Sequence, residues 1–389
     1  MSIPHDSEGG RYPVNTTLRI LKHTPPPPFG YFGDNPRPRP DLSRWEGKTW
    51  RDIDLFDLAL ADPPLETTSP GPLERTLTVT DIKTLRTNGG PNVVACFLDS
   101  DPATEYIAKI YDGLDYHEWD PESETDMVDL KWRPEFMTQA DQDYCTEAAA
   151  YRTMQPRIGT MGIVPTYHGS WTFCVGRDGP GHELGAGDTY RWVRMVLMER
   201  IHGDCMLTII TNAEDVYENL DYSLLPPEPF RLRVLQHIIE AFKFAHWYGM
   251  VRHMDYVPRN FIVRPDSSVV LIDFNDSFSE ELAARGPKHP RLADPTILPP
   301  SPIQDLFSVS SMVKPASPWY EWMPEGWSED EDMAEEWLIE TFRGDTRFAP
   351  VDETWLNSAL LEKWCSDRII CLLESLGRKP DAGRQAGQP

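Results

Sequence analysis

Apolar residues gather into short strand-like runs between residues 73 and 199, and into helical periods at 144–154 and 230–248. Residues 77–80, 92–98 and 106–111 read as three strands, with a turn at Asn88, Gly89 and Gly90 between the first two. Residues 144–154 hold strong helix formers up to Pro156, with Glu147 in mid-helix. Residues 163–175 and 192–198 add two strands, the second running into Glu199 and Ile201. From Phe230 to Tyr248, apolar residues keep a helical period closed by Gly249, and His246 there reads as a core histidine.

The polar residues that break these runs carry the chemistry. Lys109 stands inside an apolar strand, and a buried ammonium requires an anionic partner. Asp255 and Asn260 lie on an irregular segment with Pro258; residues 261–263 and 269–272 then form a hairpin that ends at Asp273. A hairpin of this length brings Asn260 and Asp273 to one edge beside Asp255. Three oxygen-bearing side chains there suit a hard divalent cation such as Mg²⁺.

Residues 253–260, HMDYVPRN, resemble the HRDxxxxN catalytic loop of protein kinases, and Asp273-Phe274-Asn275 resembles their DFG. The same residues resemble motifs of the aminoglycoside and choline phosphotransferases, which share that fold. The resemblance implies an α+β bilobal protein kinase-like fold, with a small antiparallel sheet as N-lobe and a mainly helical C-lobe. It implies ATP and Mg²⁺ as cofactors, the metal held by Asn260 and Asp273. Lys109 is then the phosphate-binding lysine paired with Glu147, and Asp255 takes or orients the acceptor hydroxyl's proton. Arg259 meets the transferring group, Gly89 and Gly90 cover the phosphates, and Glu199 and Ile201 offer hinge backbone to the adenine. His253 braces the loop. Asp305, in a 303–312 segment resembling the DxWSxG helix, anchors the loop from below, although an N-cap role suffices locally.

The chain departs from the pattern at the incomplete glycine loop, at Met254 in place of the HRD arginine, at Val257 where a lysine is usual, and at Asn275 in place of the DFG glycine. Three readings follow. A protein-phosphorylating enzyme is favoured by the Asp305 segment. A phosphotransferase for small hydroxyl-bearing acceptors is favoured by VPRN together with IDFND. A pseudokinase that binds nucleotide or partners without turnover is motivated by Asn275 and the glycine loop.

Composition sets the surroundings. The 389 residues carry a formal net charge of −25, which disfavours nucleic acid as a partner. The mean hydropathy is −0.47, and no apolar run approaches the roughly 18 residues of a membrane span. Six scattered cysteines and a start unlike a signal peptide suit a reducing compartment, cytoplasmic or nuclear. Residues 1–72 read as a Pro-rich, largely disordered extension, whose PRPRP at 36–40 offers a ligand to a proline-motif-binding partner, while Trp45 and Trp50 with Ile53, Leu55, Phe56 and Leu58 offer apolar side chains that could dock on the folded body. The N-lobe spans 73–199 with an acidic, solvated insert at 112–143, the C-lobe 200–376 and a disordered tail 377–389.

Overall fold

The computed structural model describes residues 11–30, 53–66, 71–83, 89–116, 136–213, 221–282, 288–305, 312–314 and 317–352, with parts of 41–48. The architecture is mixed α+β with antiparallel sheets. The described residues fall into two compact units: Met1–Thr296 with Glu321–Pro324, and Ile297–Tyr320 with Glu325–Pro389. The sequence reading put 200–376 into one helical body; the units divide instead near residue 296.

The first unit is built on a closed barrel of six antiparallel strands: β1 (Thr17–Lys22), β2 (Glu74–Ile82), β3 (Asn92–Leu98), β4 (Asp101–Tyr111), β5 (Tyr167–Gly176) and β6 (Tyr190–Glu199). Their order is β1-β2-β3-β4-β6-β5, with β1 pairing back onto β5 to close the ring. That closure corrects the reading of 1–72 as a disordered extension. Leu18 and Ile20 point into the core while Thr17 and Arg19 face solvent, the period-2 alternation of a half-buried strand. A ring without an edge strand also leaves no unpaired backbone row exposed. Asp99 and Ser100, both at positive φ, turn β3 tightly into β4, which starts five residues before its predicted position.

The helices are α1 (Leu55–Ala61), α2 (Phe136–Ile158), α3 (Met206–Thr211), α4 (Glu228–Trp247) and, in the second unit, α5 (Glu331–Phe342). α2 is longer than predicted at both ends. It takes in the end of the supposed acidic insert, where Asp141 and Asp143 are buried, and continues through Pro156. Pro156 supplies no N–H to the helical ladder, but burial of Met154 and Ile158 on either side holds the last turn on the body. Asp112, the other end of that insert, is fully buried. It receives two hydrogen bonds of 2.7 Å from Arg191 and one of 2.8 Å from the Tyr12 hydroxyl.

α4 delivers the chain to β8 (Val251–His253), followed by β9 (Phe261–Val263), β10 (Val269–Leu271) and β11 (Ser277–Ser279). β9 and β10 form the predicted hairpin, and a short strand β7 (Asp204–Cys205) pairs with β9. β11 pairs with β8, opposing Ser277 to His253. The tryptophans of 315–327 are buried where described, and the Trp322 indole donates to the Arg231 carbonyl of α4. The end of the predicted C-lobe, from residue 353, and the tail lie outside the described residues.

Candidate active site

Alternation along β4 sends Ala108 and Ile110 into the barrel core and turns Lys109 to the outer face, where α2 lies. Lys109 is 4 % exposed. Its Nζ donates to Glu147 Oε2 at 2.5 Å and to Asp273 Oδ1 at 2.5 Å. Glu147, fully buried on α2, also accepts from the Tyr111 hydroxyl and, at 3.4 Å, from the Phe274 N–H. One carboxylate thus ties β4, α2 and the segment after β10 together. Burial pulls the Lys109 pKa down, but Asp273 and Glu147 outweigh it and the net shift is upward. Burial keeps Glu147 above its ordinary range despite Lys109, whereas Lys109 draws Asp273 below its range against burial.

The turn from His253 to Asn260 is held from both sides. His253 is buried; one ring nitrogen lies 3.1 Å from the Ile272 carbonyl and the other accepts from the Asp255 N–H at 3.2 Å. The Ile272 N–H donates to the Asn260 carbonyl at 2.9 Å, which sets Asn260 directly beside the residue preceding Asp273. Asn260 Nδ2 bonds both the backbone oxygen and Oδ2 of Asp255 at 2.9 Å, and Arg259 reaches the same Oδ2 at 2.7 Å. Asp255 Oδ1 has no partner among the described residues. Asp273 adopts φ +66°, a left-handed conformation that turns the chain sharply where the apolar strand ends.

An aromatic column stands behind these groups. The Phe274 ring meets His253 at 5.0 Å and Tyr151 at 5.2 Å between centroids, and Tyr151 stacks on Tyr167 at 5.7 Å. Sequence reasoning missed a buried carboxylate beside it. Asp143 accepts from Gln139 at 2.6 Å, from the Tyr116 hydroxyl at 3.0 Å and from Asn275 at 3.3 Å. The residue in the DFG glycine's place is therefore tied to α2.

The remaining candidates are more peripheral. Gly89 and Gly90 take φ of 60° and 126°, and the Gly90 N–H bonds the Asp115 carbonyl at 3.1 Å; residues 84–88 of that turn lie outside the described residues. Glu199 ends β6 and its carboxylate accepts from the Thr166 N–H and hydroxyl, so its side chain is committed to the fold. Ile201 follows, half-buried, in the irregular link between β6 and β7. At Gly203, an added Cβ would come within 2.5 Å of the Val263 carbonyl, so that stretch lies flat against β9. Asp305 ends a 3₁₀ turn, Pro302–Asp305; its side chain and residues 306–311 lie outside the described residues.

The donor set fits a hard divalent cation. Asn260 spends its amide nitrogen on Asp255, which leaves its oxygen for another partner, and Asp273 is partly open to solvent. Among the described residues, the cations paired with Asp255, Asp273 and Glu147 are Lys109 and Arg259, two positive charges against three carboxylates. Among the described residues, no group of three or more His, Cys, Asp or Glu is placed to hold a metal by itself.

No family model matches the chain, and no curated protein matches it. Solved structures similar to it include vaccinia related kinase 3 (14% identity, TM-score 0.34, 79% of this chain and 89% of that one). The ROP18 kinase domain in complex with AMP-PNP and sucrose aligns at 15% identity and TM-score 0.34, over 77% of this chain and 93% of that one. The Rv3197–erythromycin complex from Mycobacterium tuberculosis aligns at 13% identity and TM-score 0.32, over 80% and 68%. Among the described residues, no helix is long and apolar enough to cross a membrane.

Proposed function

We propose that this chain is an ATP- and Mg²⁺-dependent phosphotransferase with a bilobal protein kinase-like fold, moving a γ-phosphoryl group to a hydroxyl acceptor. The observation that carries the reading is Lys109, a buried cation shared between Glu147 on α2 and Asp273 at the end of the β9–β10 hairpin. A structural ion pair needs one anion. A cation balanced between a buried carboxylate and a partly exposed one can take up a third, anionic partner without leaving the first.

Phosphoryl transfer asks for positioning and charge neutralisation more than for covalent chemistry. Lys109 would orient the inner phosphates, with Glu147 fixing its direction. Asn260 and Asp273 would hold Mg²⁺, which when bound neutralises charge on the outer phosphates. Asn260 and Arg259 fix Asp255 through Oδ2 and leave Oδ1 to accept the acceptor hydroxyl's proton. Backbone at Glu199 and Ile201 would face the base, and Gly89 and Gly90 the phosphates. His253 would hold the loop's shape. The Asp305 segment, which favoured a protein acceptor, is described only as a short turn, so the acceptor is chosen by experiment.

The test is Mg²⁺-dependent ATP turnover by wild type and Asp255→Asn, with generic protein substrates and a panel of small alcohols. Turnover present in wild type and lost in the variant supports the reading, and the responding acceptor selects the branch. Nucleotide binding without turnover on any acceptor replaces it with the pseudokinase; absence of both binding and turnover refutes it.

A further inference from the structure

The segment before the barrel's long strands lies across the helix that carries Glu147. Ile53 and Leu58 form a buried apolar cluster with Trp45 and Phe136 at the start of α2, and Leu55, Ala61 and Met137 pack against it. One turn further along α2, Asp141 accepts the Leu65 N–H at 2.9 Å. On the barrel side, Arg194 of β6 is buried and donates to the Leu65 carbonyl at 3.3 Å and to Glu66 at 2.5 Å. The second oxygen of Glu66 lies 3.4 Å from His23, just past β1. At the far end of the segment, Arg177 after β5 pairs with Asp54 at 2.6 Å and Asp57 at 2.5 Å. Ala59, Asp62, Met137, Asp141 and Arg194 line a small, partly open cleft between the segment, α2 and β6.

From this arrangement we propose that residues 53–66 are an intramolecular strap that positions α2 and thereby holds Glu147 on Lys109. The role of Glu147 toward nucleotide rests on the proposed phosphotransferase reading; the mechanical role of the strap does not. The C-terminal half of α2 has its own attachments, from Gln155 to the Tyr167 N–H and from Thr153 to Ser279 of β11. Its first turns bear on the strap, at Phe136, Met137 and Asp141. Buried, well-paired contacts of this kind set how often a helix opens locally. Leu65 and Glu66 are positioning residues: Leu65 bears on α2 through Asp141, and Glu66 anchors that end of the strap to Arg194 of β6.

The test uses the full chain as wild type, Leu58→Asp, Glu66→Ala and Glu66→Gln. Leu58→Asp puts a charge into the apolar cluster. Glu66→Ala removes the partner of Arg194, and Glu66→Gln keeps an acceptor for it. Hydrogen exchange is read peptide by peptide, with Mg²⁺–ATP affinity measured alongside. In Leu58→Asp and Glu66→Ala, exchange over 136–150 is expected to rise about tenfold while β3 and β4 stay within about twofold. Mg²⁺–ATP affinity is expected to fall about tenfold in both, and Glu66→Gln to restore exchange and affinity. A strap that exchanges freely while 136–150 stays protected overturns the proposal. So does acceleration of α2 and barrel together, which marks general destabilisation. If wild type binds no Mg²⁺–ATP, the phosphotransferase reading fails and the exchange pattern alone decides the strap. If wild type binds it and a loosened α2 leaves affinity unchanged, the link from strap to site is wrong.

Discussion

Replacing Lys109 with methionine isolates the energetics of the central cluster. The variant keeps the volume and removes the charge, which leaves Glu147 buried with only the Tyr111 hydroxyl and the Phe274 N–H as donors. Removing one partner of a buried pair typically costs about 3–5 kcal/mol, because the remaining charge is uncompensated. The two surviving hydrogen bonds place this case at the lower end. Protonation sets an independent ceiling. Without Lys109, burial raises the folded-state pKa of Glu147 further above the unfolded value of about 4.3, and each pH unit above that value costs about 1.4 kcal/mol. The Glu147 part of the loss at pH 7 is therefore capped at roughly 3.7 kcal/mol. For Glu147 the sign follows: the folded state holds the proton over a wider range, so this part of the deficit is absent below about pH 4.3 and grows as pH rises, while the part from Asp273, which Lys109 draws below its range, persists to lower pH. The assay is urea unfolding of wild type, Lys109→Met and Lys109→Met/Glu147→Gln at pH 4.5 and 7.5. Unfolding is followed by pulsed exchange of β4 and α2 peptides, so that the unit holding the pair is read by itself. A deficit of about 3 kcal/mol at pH 7.5, much smaller at pH 4.5 and at least half recovered in the double variant, is expected. A variant as stable as wild type at pH 7.5, or a double variant no better than the single, would refute the reasoning.

Two further outcomes follow from the barrel and its junction with β9. Burial pushes the Asp112 carboxyl up, but Arg191 and Arg11 pull it further down, to about 2. That stability is present above the unfolded value of about 3.9 and is lost as pH falls toward 2, on the order of 2 kcal/mol. Acid titration of unfolding should be shallower over that window in Asp112→Asn than in wild type, and equal slopes would count against the network. Gly203→Ala brings a Cβ to 2.5 Å from the Val263 carbonyl and 2.9 Å from Ile262 Cγ2, so the stretch after Glu199 must lift off β9. A loss of about 1–3 kcal/mol is expected from such overpacking, with weaker nucleotide binding by calorimetry; an alanine variant that binds and melts like wild type would show that this stretch has slack.

The 253–260 turn and the hairpin were legible because their polar residues sit at strand ends, where a polar residue interrupts an apolar run and spacing along the chain fixes spacing in the fold. Asp255, Asn260 and Asp273 are of this kind. The tie between Asn275 and Asp143 was not legible, since it spans 132 residues and depends on α2 lying across the hairpin. Proline content hid β1, because a composition that disfavours burial outweighed the alternation of Leu18 and Ile20 with Thr17 and Arg19. The strap is the instructive case. The rule that singled out Lys109, a cation in mid-strand that must find an anion, applies equally to Arg194 in the apolar run of β6. Applied there, it demands a carboxylate from elsewhere in the chain, and the structure supplies Glu66 from the stretch read as disordered. A buried cation in a strand is thus as informative about what covers the fold as about what the fold binds. The two cations differ in their remaining ties. Lys109 is shared between two carboxylates, Glu147 on α2 and Asp273 at the turn after β10, while Arg194 is also bonded to Thr172 of the neighbouring strand and to the Leu65 carbonyl, ties that a ligand does not replace.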